Sequence, residues 1–346
     1  MVPPITTAIV GASGYSGEEL VRLLLDHLRV ELTAVTSRQF AGQTVAQVFP
    51  RYAHDSRARA LRFTEPNAYV LAQSAQVVFL ALPHGVAAEF AGPLLEQGCK
   101  VIDLSADFRL KSPAVYKEFY GHDHPAPALL EKSVYGLPEF YREDIKKATL
   151  IASPGCYPTS ILLPVLPLLK ARLVQSEGII ANSLSGVSGA GRKVEAEYLF
   201  SECNESIRPY GIPKHRHLSE IEEQLALAAR KPVVLQFSPH LIPVNRGIVS
   251  TIYLQPERGV DAGRIAQCYQ MAYGSEPFVT LLEGKALPDT KNVTGTNRVE
   301  IAWRLDPRTG RLIVMSALDN IVKGASGQAV QSMNILCGFP ETDGLS

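Results

Sequence analysis

A net charge is missing from this chain. Its 34 lysines and arginines balance 34 aspartates and glutamates over 346 residues. No whole-molecule field favours nucleic acid or an anionic membrane, so an anionic substrate has to be held by local groups. Long hydrophobic runs are missing too. The longest, residues 161–169, falls far short of the ~18 residues of a membrane span and contains Pro164 and Pro167. Met1 to Thr7 carries neither a basic stretch nor an apolar core, so no signal peptide is expected. Cysteine is scarce: Cys99, Cys156, Cys203, Cys268 and Cys337 are odd in number, far apart and free of CxxC pairs. That pattern argues against a disulfide framework and a zinc ribbon. The expected setting is a reducing cytoplasm, with no nucleic acid, membrane or metal partner.

What is present is ample apolar material in an alternating order. The length predicts two domains, because single cores rarely grow past about 250–300 residues. A hydrophobic content of 46% supplies both. Residues 7–10, 32–35, 77–82 and 101–104 are short apolar strands. Helical spacing of leucines follows over 18–28, and a helix is expected over 86–97. Strands alternating with helices predict βαβ units, so the first half is a doubly wound Rossmann α/β domain. After Cys156 the strand candidates 233–237, 248–254, 299–305 and 312–318 are longer and less regularly separated by helices. They predict a second, α+β domain with a mixed or antiparallel sheet. Residues 326–336 return to helix.

Two motifs concern a nucleotide. Gly11, Gly14 and Gly17, with Ser13, Tyr15 and Ser16 between them, follow the first strand and open the first helix. Glycines there let the backbone approach a pyrophosphate, and helix N–H groups receive its charge. An acid is absent where an NAD enzyme usually places one, at the end of the second strand. Ser37 and Arg38 stand there instead, which suits the 2′-phosphate of NADP. A solvated loop charge is the other reading of Arg38.

Two motifs concern covalent chemistry. In Ser153-Pro154-Gly155-Cys156-Tyr157-Pro158 an apolar strand enters a Pro-Gly turn, and Pro158 is expected at the first position of a helix. A thiol beside a helix N-terminus titrates at about 3.5–7.5 rather than about 8.5, and the thiolate is the nucleophile. In Lys214-His215-Arg216-His217-Leu218-Ser219-Glu220, a helix from near Leu218 sets Glu220 one turn from His217. His217 is then the proton carrier, with Glu220 fixing its tautomer. A metal site at His215 and His217 and a basic surface loop are the rival readings. The loop Ser185-Gly186-Val187-Ser188-Gly189-Ala190-Gly191-Arg192-Lys193 suits a nicotinamide or an anion held by backbone N–H groups, or is a plain turn. Arg109, beyond the fourth of these strands, either holds a phosphate or carboxylate or pairs with Asp107 at the surface. A catalytic residue at a domain seam is the expected arrangement.

Together these residues resemble the N-acetyl-gamma-glutamyl-phosphate reductases, NADP-dependent enzymes of arginine biosynthesis. The resemblance spans nearly the whole chain: GASGYSG at 11–17, LPHG at 82–85, DLSADFRL at 103–110, YGLPE at 135–139, SPGCYPTS at 153–160, SGVSGAGRK at 185–193, HRHLSEIE at 215–222, PHLIPVNRG at 239–247 and DNIVKGASGQAVQ at 319–331. Two departures are visible. Asn182-Ser183-Leu184-Ser185-Gly186 stands where Asp-x-Lys-Ser-Gly is frequent, and Leu218-Ser219 where Thr-Pro is common. The resemblance implies the fold of glyceraldehyde-3-phosphate and aspartate-semialdehyde dehydrogenases, with the last helix packed on the nucleotide domain. The domains are then 1–153 with 326–346 for NADP, and 154–325 for catalysis and oligomerisation. It implies Cys156 as nucleophile, His217 as acid and base, and Leu82, Pro83, Ser185, Gly186 and Asn320 near the cofactor. Arg109, Ser188, Gly189 and Arg192 are expected on a small acyl-phosphate substrate, in a homodimer or homotetramer. Three alternatives stay open: the reductase of a carrier-bound aminoadipyl phosphate in lysine biosynthesis, aspartate-semialdehyde dehydrogenase, and a catalytically silent NADP-binding regulator.

Overall fold

The structure is a computed structural model and describes residues 3–192 and 194–345. It divides into two compact units, one ending at Pro154 and resuming at Ala325, the other Gly155–Gly324.

The first unit is built on seven parallel strands: β1 (Ile5–Val10), β2 (Val30–Thr36), β3 (Phe63–Thr64), β4 (Val77–Leu80), β5 (Lys100–Asp103), β6 (Val134–Tyr135) and β7 (Leu150–Ala152). Their order is β3-β2-β1-β4-β5-β7-β6, all neighbours parallel. Every residue of β4 and β7 is buried, as a strand covered on both faces must be. The order reverses between β1 and β4, and ligands of such sheets bind at the carboxyl ends of strands flanking that switch. The expected Rossmann architecture is borne out. Gly327–Cys337 forms a helix whose residues 327–336 are all buried, packed on the Pro138–Ile145 and Tyr15–Leu25 helices. Each large apolar side chain so buried contributes roughly 1.5–3 kcal/mol.

The second unit has a mixed sheet: β8 (Ile179–Gly186), β9 (Arg208–Pro209), β10 (Leu235–Ile242), β11 (Ile248–Leu254), β12 (Val279–Leu281), β13 (Val299–Leu305) and β14 (Leu312–Leu318), in the order β12-β13-β14-β11-β8-β10-β9. β8 runs parallel to β10, and β11 antiparallel to both β8 and β14. The expected mixed sheet is present. One correction applies: β8, a central strand, was not expected, and Ser185 and Gly186, read as the start of a loop, close it. Its small polar residues hid an alternation of buried and half-buried positions.

The Cys156–Lys170 helix begins at Cys156 itself, with Gly155 as N-cap, so Pro158 is its third residue and not its first. Residues 157–169 are all buried, and Pro164 and Pro167 lie inside the helix. A proline cannot donate to the carbonyl four residues earlier. Those carbonyls, Ser160 and Leu163, have other donors: the Ser316 hydroxyl at 2.6 Å and the Tyr273 phenol. The helix survives its prolines because side chains from β14 and the Ala262–Tyr273 helix replace the lost N–H groups.

Candidate active site

The nucleotide features gather at the switch point of the first unit. Gly11 leaves β1 with φ +85°, and a Cβ there would stand 2.4 Å from the Ala81 carbonyl at the end of β4. A Cβ on Gly17 would stand 2.4 Å from the Gly11 carbonyl. Both positions require glycine. Gly14 is the N-cap of the Tyr15–Leu25 helix, and no side chain caps that end. First-turn N–H groups of such a helix suit a pyrophosphate. Leu82 lies against Gly11, its Cδ2 3.0 Å from where that Cβ would be, and Pro83 next to it is exposed. Ser37 is buried at the end of β2, with its hydroxyl 3.0 Å from that of Ser13. Arg38 is exposed and has no ion pair among the described residues. An uncapped helix start, a glycine-lined turn and a cation without an acid at the end of β2 fit NADP.

Arg109 is buried, contrary to the surface reading. Its Nε donates to the Ser153 carbonyl at 2.8 Å and its Nη2 to the Leu104 carbonyl at 2.9 Å. Asp107 instead accepts from the Gly85 and Ala88 amides and the Tyr116 hydroxyl. Asp103 is fully buried near Asp107, and burial raises its carboxyl to about 7.

The covalent features gather in the second unit. Cys156 is partly exposed at the first position of its helix. The residue before it is held by Glu220, whose buried carboxylate accepts the Gly155 N–H at 2.9 Å. The Gly155 carbonyl accepts both the amide and the hydroxyl of Thr159, each at 2.9 Å. The residue after it, Tyr157, meets the His217 ring edge-on at 6.0 Å between centroids. Cys156 is thus bracketed by the His217 helix on both sides. Gly324 completes the enclosure: a Cβ there would lie 2.8 Å from that of Cys156.

His217 opens its helix one residue earlier than expected and is buried. Its backbone N–H donates to Nδ1 of His215 at 3.1 Å. Tyr157, Tyr210, Phe237 and His217 ring His215 edge-on, at 5.0–5.6 Å between centroids. Burial and the adjacent Arg216 charge lower the His215 ring to about 4, so it is neutral near pH 7. The Tyr210 hydroxyl donates to that of Tyr157 at 2.8 Å, and burial raises Tyr210 to about 12. Tyr210 and the His215 box were missed in the sequence. Their only signal is aromatic residues flanking both motifs.

The small-residue loop differs from the anion grip expected of its amides. Ser185 and Gly186 end β8, and residues 187–190 form a short 3-10 turn. The N–H groups of Gly186, Val187, Ser188 and Gly191 donate to the carbonyls of Gly247, Val244, Asn245 and Ser188. Asn320 is buried and bridges the Gly247 amide at 2.8 Å and the Ser188 hydroxyl at 2.9 Å. Gly189 lies beside Ser185 and Asn320, where a Cβ would stand a tight 3.3 Å from the Ser185 hydroxyl, and Arg192 is exposed. Lys193 lies outside the described residues. No group of three or more metal-ligating side chains is found among the described residues.

Comparison with known proteins agrees with this layout. Residues 6–148 match the semialdehyde dehydrogenase NAD binding domain, and residues 156–320 the semialdehyde dehydrogenase dimerisation domain. Aspartate semialdehyde dehydrogenase II of Vibrio cholerae, solved with ASA, superimposes with a TM-score of 0.74 at 18% identity, over 97% of this chain and 98% of that one. The Candida albicans enzyme solved with NADP gives 0.73 at 16%, over 96% and 98%. At such identities the likeness establishes the fold. Sequence relatives go further. The N-acetyl-gamma-glutamyl-phosphate reductase of Akkermansia muciniphila is 56% identical over 99% of this chain and 98% of its own length. Those of Desulfotalea psychrophila and Moorella thermoacetica are 49% and 46% identical, over 99% and 98% of this chain and 98% and 97% of theirs. With identity this high sustained from end to end, the chain belongs to the N-acetyl-gamma-glutamyl-phosphate reductase family.

Proposed function

We propose that this chain reduces N-acetyl-gamma-glutamyl phosphate to N-acetylglutamate semialdehyde with release of phosphate, using NADPH, as a step of arginine biosynthesis. The observation that carries the reading is Cys156 at an uncapped helix start, bracketed by the His217 helix. The Cys156 thiolate attacks the acyl carbon; a C–S bond forms, the C–O bond to phosphorus breaks, and phosphate leaves. Bound NADPH supplies the hydride. His217 donates a proton to the oxyanion that reduction leaves on the carbon, then takes it back as the C–S bond breaks and the aldehyde departs.

The cofactor roles fall to Gly11 through Gly17, Ser37, Arg38, Leu82 and Pro83, with Ser185, Gly186 and Asn320 assigned to the nicotinamide. Arg192, Ser188 and Gly189 are the proposed substrate contacts. Arg109, committed to the Ser153 and Leu104 carbonyls, serves better as a brace for the chain just before Cys156. Glu220 serves as a clamp on the Gly155 amide. Residues 3–154 with 325–345 are the proposed NADP unit, and 155–324 the catalytic and oligomerisation unit. A homodimer or homotetramer forms through the sheet face opposite the Cys156 helix, where Ile180, Leu184, Val249, Tyr253, Ile313 and Met315 are partly exposed. No described helix is long and apolar enough to cross a membrane. A reducing cytoplasm suits a thiolate nucleophile.

The reverse reaction tests the assignment. N-acetylglutamate semialdehyde, phosphate and NADP⁺ should yield NADPH, and aspartate semialdehyde far less, because a site for a neutral acetamide leaves an ammonium unpaired. An inverted order, or turnover only of a carrier-bound aminoadipyl substrate, would move the assignment to one of the alternatives and leave the thioester chemistry standing.

A further inference from the structure

Four serines of the second unit are fully buried with no role in the chemistry above: Ser160, Ser183, Ser250 and Ser316. Three are register partners across adjacent strands. Ser250 of β11 pairs with Ser183 of β8 on one side and Ser316 of β14 on the other. Side chains at paired positions share a face, and this row lies beneath Ser160 of the Cys156 helix. The Ser160 hydroxyl donates to the Tyr157 carbonyl at 2.8 Å. Having spent its one proton, it accepts from Ser250 at 2.7 Å, and Ser250 in turn accepts from Ser183 at 2.6 Å. Ser316 donates to the Ser160 carbonyl at 2.6 Å, the group that Pro164 leaves without its helical donor.

We propose that this serine row is a positioning device for the nucleophile. It fixes the first turns of the Cys156 helix at one axial setting on the sheet, and so fixes where the sulfur stands. An apolar row of similar size would press the helix onto the sheet without choosing its position along its own axis. Two directional bonds from the sheet to Ser160, from Ser250 to its hydroxyl and from Ser316 to its carbonyl, do choose it, and the chained hydroxyls of Ser183, Ser250 and Ser160 reinforce one another. Glu220 holds the Gly155 amide independently. With both holds in place, Cys156 has little freedom to slide. Nucleophilic attack is intolerant of such sliding, since a 1 Å misplacement can cost about 10²-fold in rate.

The inference rests on the thioester reading, and two readouts keep the two apart. The first is the rate of Cys156 alkylation by iodoacetamide at pH 7, followed by peptide mass spectrometry, which needs no substrate. The second is kcat and KM for N-acetylglutamate semialdehyde in the reverse reaction. Ser250→Ala should lower kcat and the alkylation rate about tenfold each, a fraction of what a full 1 Å displacement costs, with KM within about twofold. Ser250→Thr restores a hydroxyl and should recover both to within about threefold. Ser183→Ala, which removes only the terminal donor, should lower both about threefold, and it decides the matter if Ser250→Ala does not fold. Alkylation and kcat both within about twofold of wild type in the alanine variants would overturn the proposal. So would a loss that threonine does not repair. If wild type itself fails to turn over the semialdehyde, the substrate reading falls, and alkylation still decides the role of the row.

Discussion

Cys156 differs from the other cysteines in its surroundings. Burial raises the thiols of Cys99, Cys268 and Cys337, which disfavours their thiolates. Cys156→Ser should abolish turnover while leaving NADPH binding, measured by fluorescence titration, unchanged. Cys203→Ser, Cys268→Ser and Cys337→Ser should remain active. Of the two histidines, His217 is assigned the proton. His217→Asn should lower kcat by about 10²–10⁴-fold, the usual range for a general acid-base group. His215→Asn should cost less, because an Asn side chain can accept the same N–H two residues on. A larger loss for His215→Asn than for His217→Asn would reverse the assignment. The two also differ in pH behaviour. Folding lowers the His215 ring from about 6.5 to about 4 and so favours its neutral form. Its contribution to stability is complete above about 6.5 and is lost as pH falls toward 4. Denaturation midpoints between those values should therefore fall more steeply in wild type than in His215→Asn.

Single elements show what local sequence could and could not carry. The glycine turn between β1 and its helix was legible, because close backbone approach leaves glycine as the only choice at Gly11 and Gly17. The absent acid beyond β2 was legible for the same reason of chemistry. Arg38→Ala should weaken NADPH binding by about tenfold or more, equivalent to about 1.4 kcal/mol per tenfold, and spare NADH. Equal losses for both cofactors would remove Arg38 from the 2′-phosphate. The Cys156 helix was legible only in part. Pro158 suggested a start two residues too late, because three early N–H groups of any helix lack partners and proline is harmless at each. That the helix runs on through Pro164 and Pro167 could not be read locally. The compensating donors, Ser316 and Tyr273, stand more than a hundred residues away in the chain. Arg109 was misplaced for a similar reason: its partners are carbonyls, and a sequence does not display where carbonyls point.

At the scale of the whole molecule, the open sheet face is the feature with the clearest consequence for assembly. Leu184 pairs with Val249, and Tyr253 with Ile313, on the side away from the serine row. Leu184→Asp combined with Tyr253→Asp should shift the protein toward monomer in analytical ultracentrifugation. An unchanged sedimentation profile would place the contact elsewhere. The division of the chain has another consequence, one of timing. The nucleotide unit is interrupted: its sheet is complete by Ala152, yet the buried Gly327–Cys337 helix that closes it is made only after Gly155–Gly324. At ~5–20 residues per second the ribosome needs roughly 9–35 s to translate what lies between. Through that interval the early strands wait with an apolar flank uncovered, while Gly155–Gly324 can fold as it emerges. The chain therefore completes its nucleotide unit only after its second unit has been made, although it begins it first.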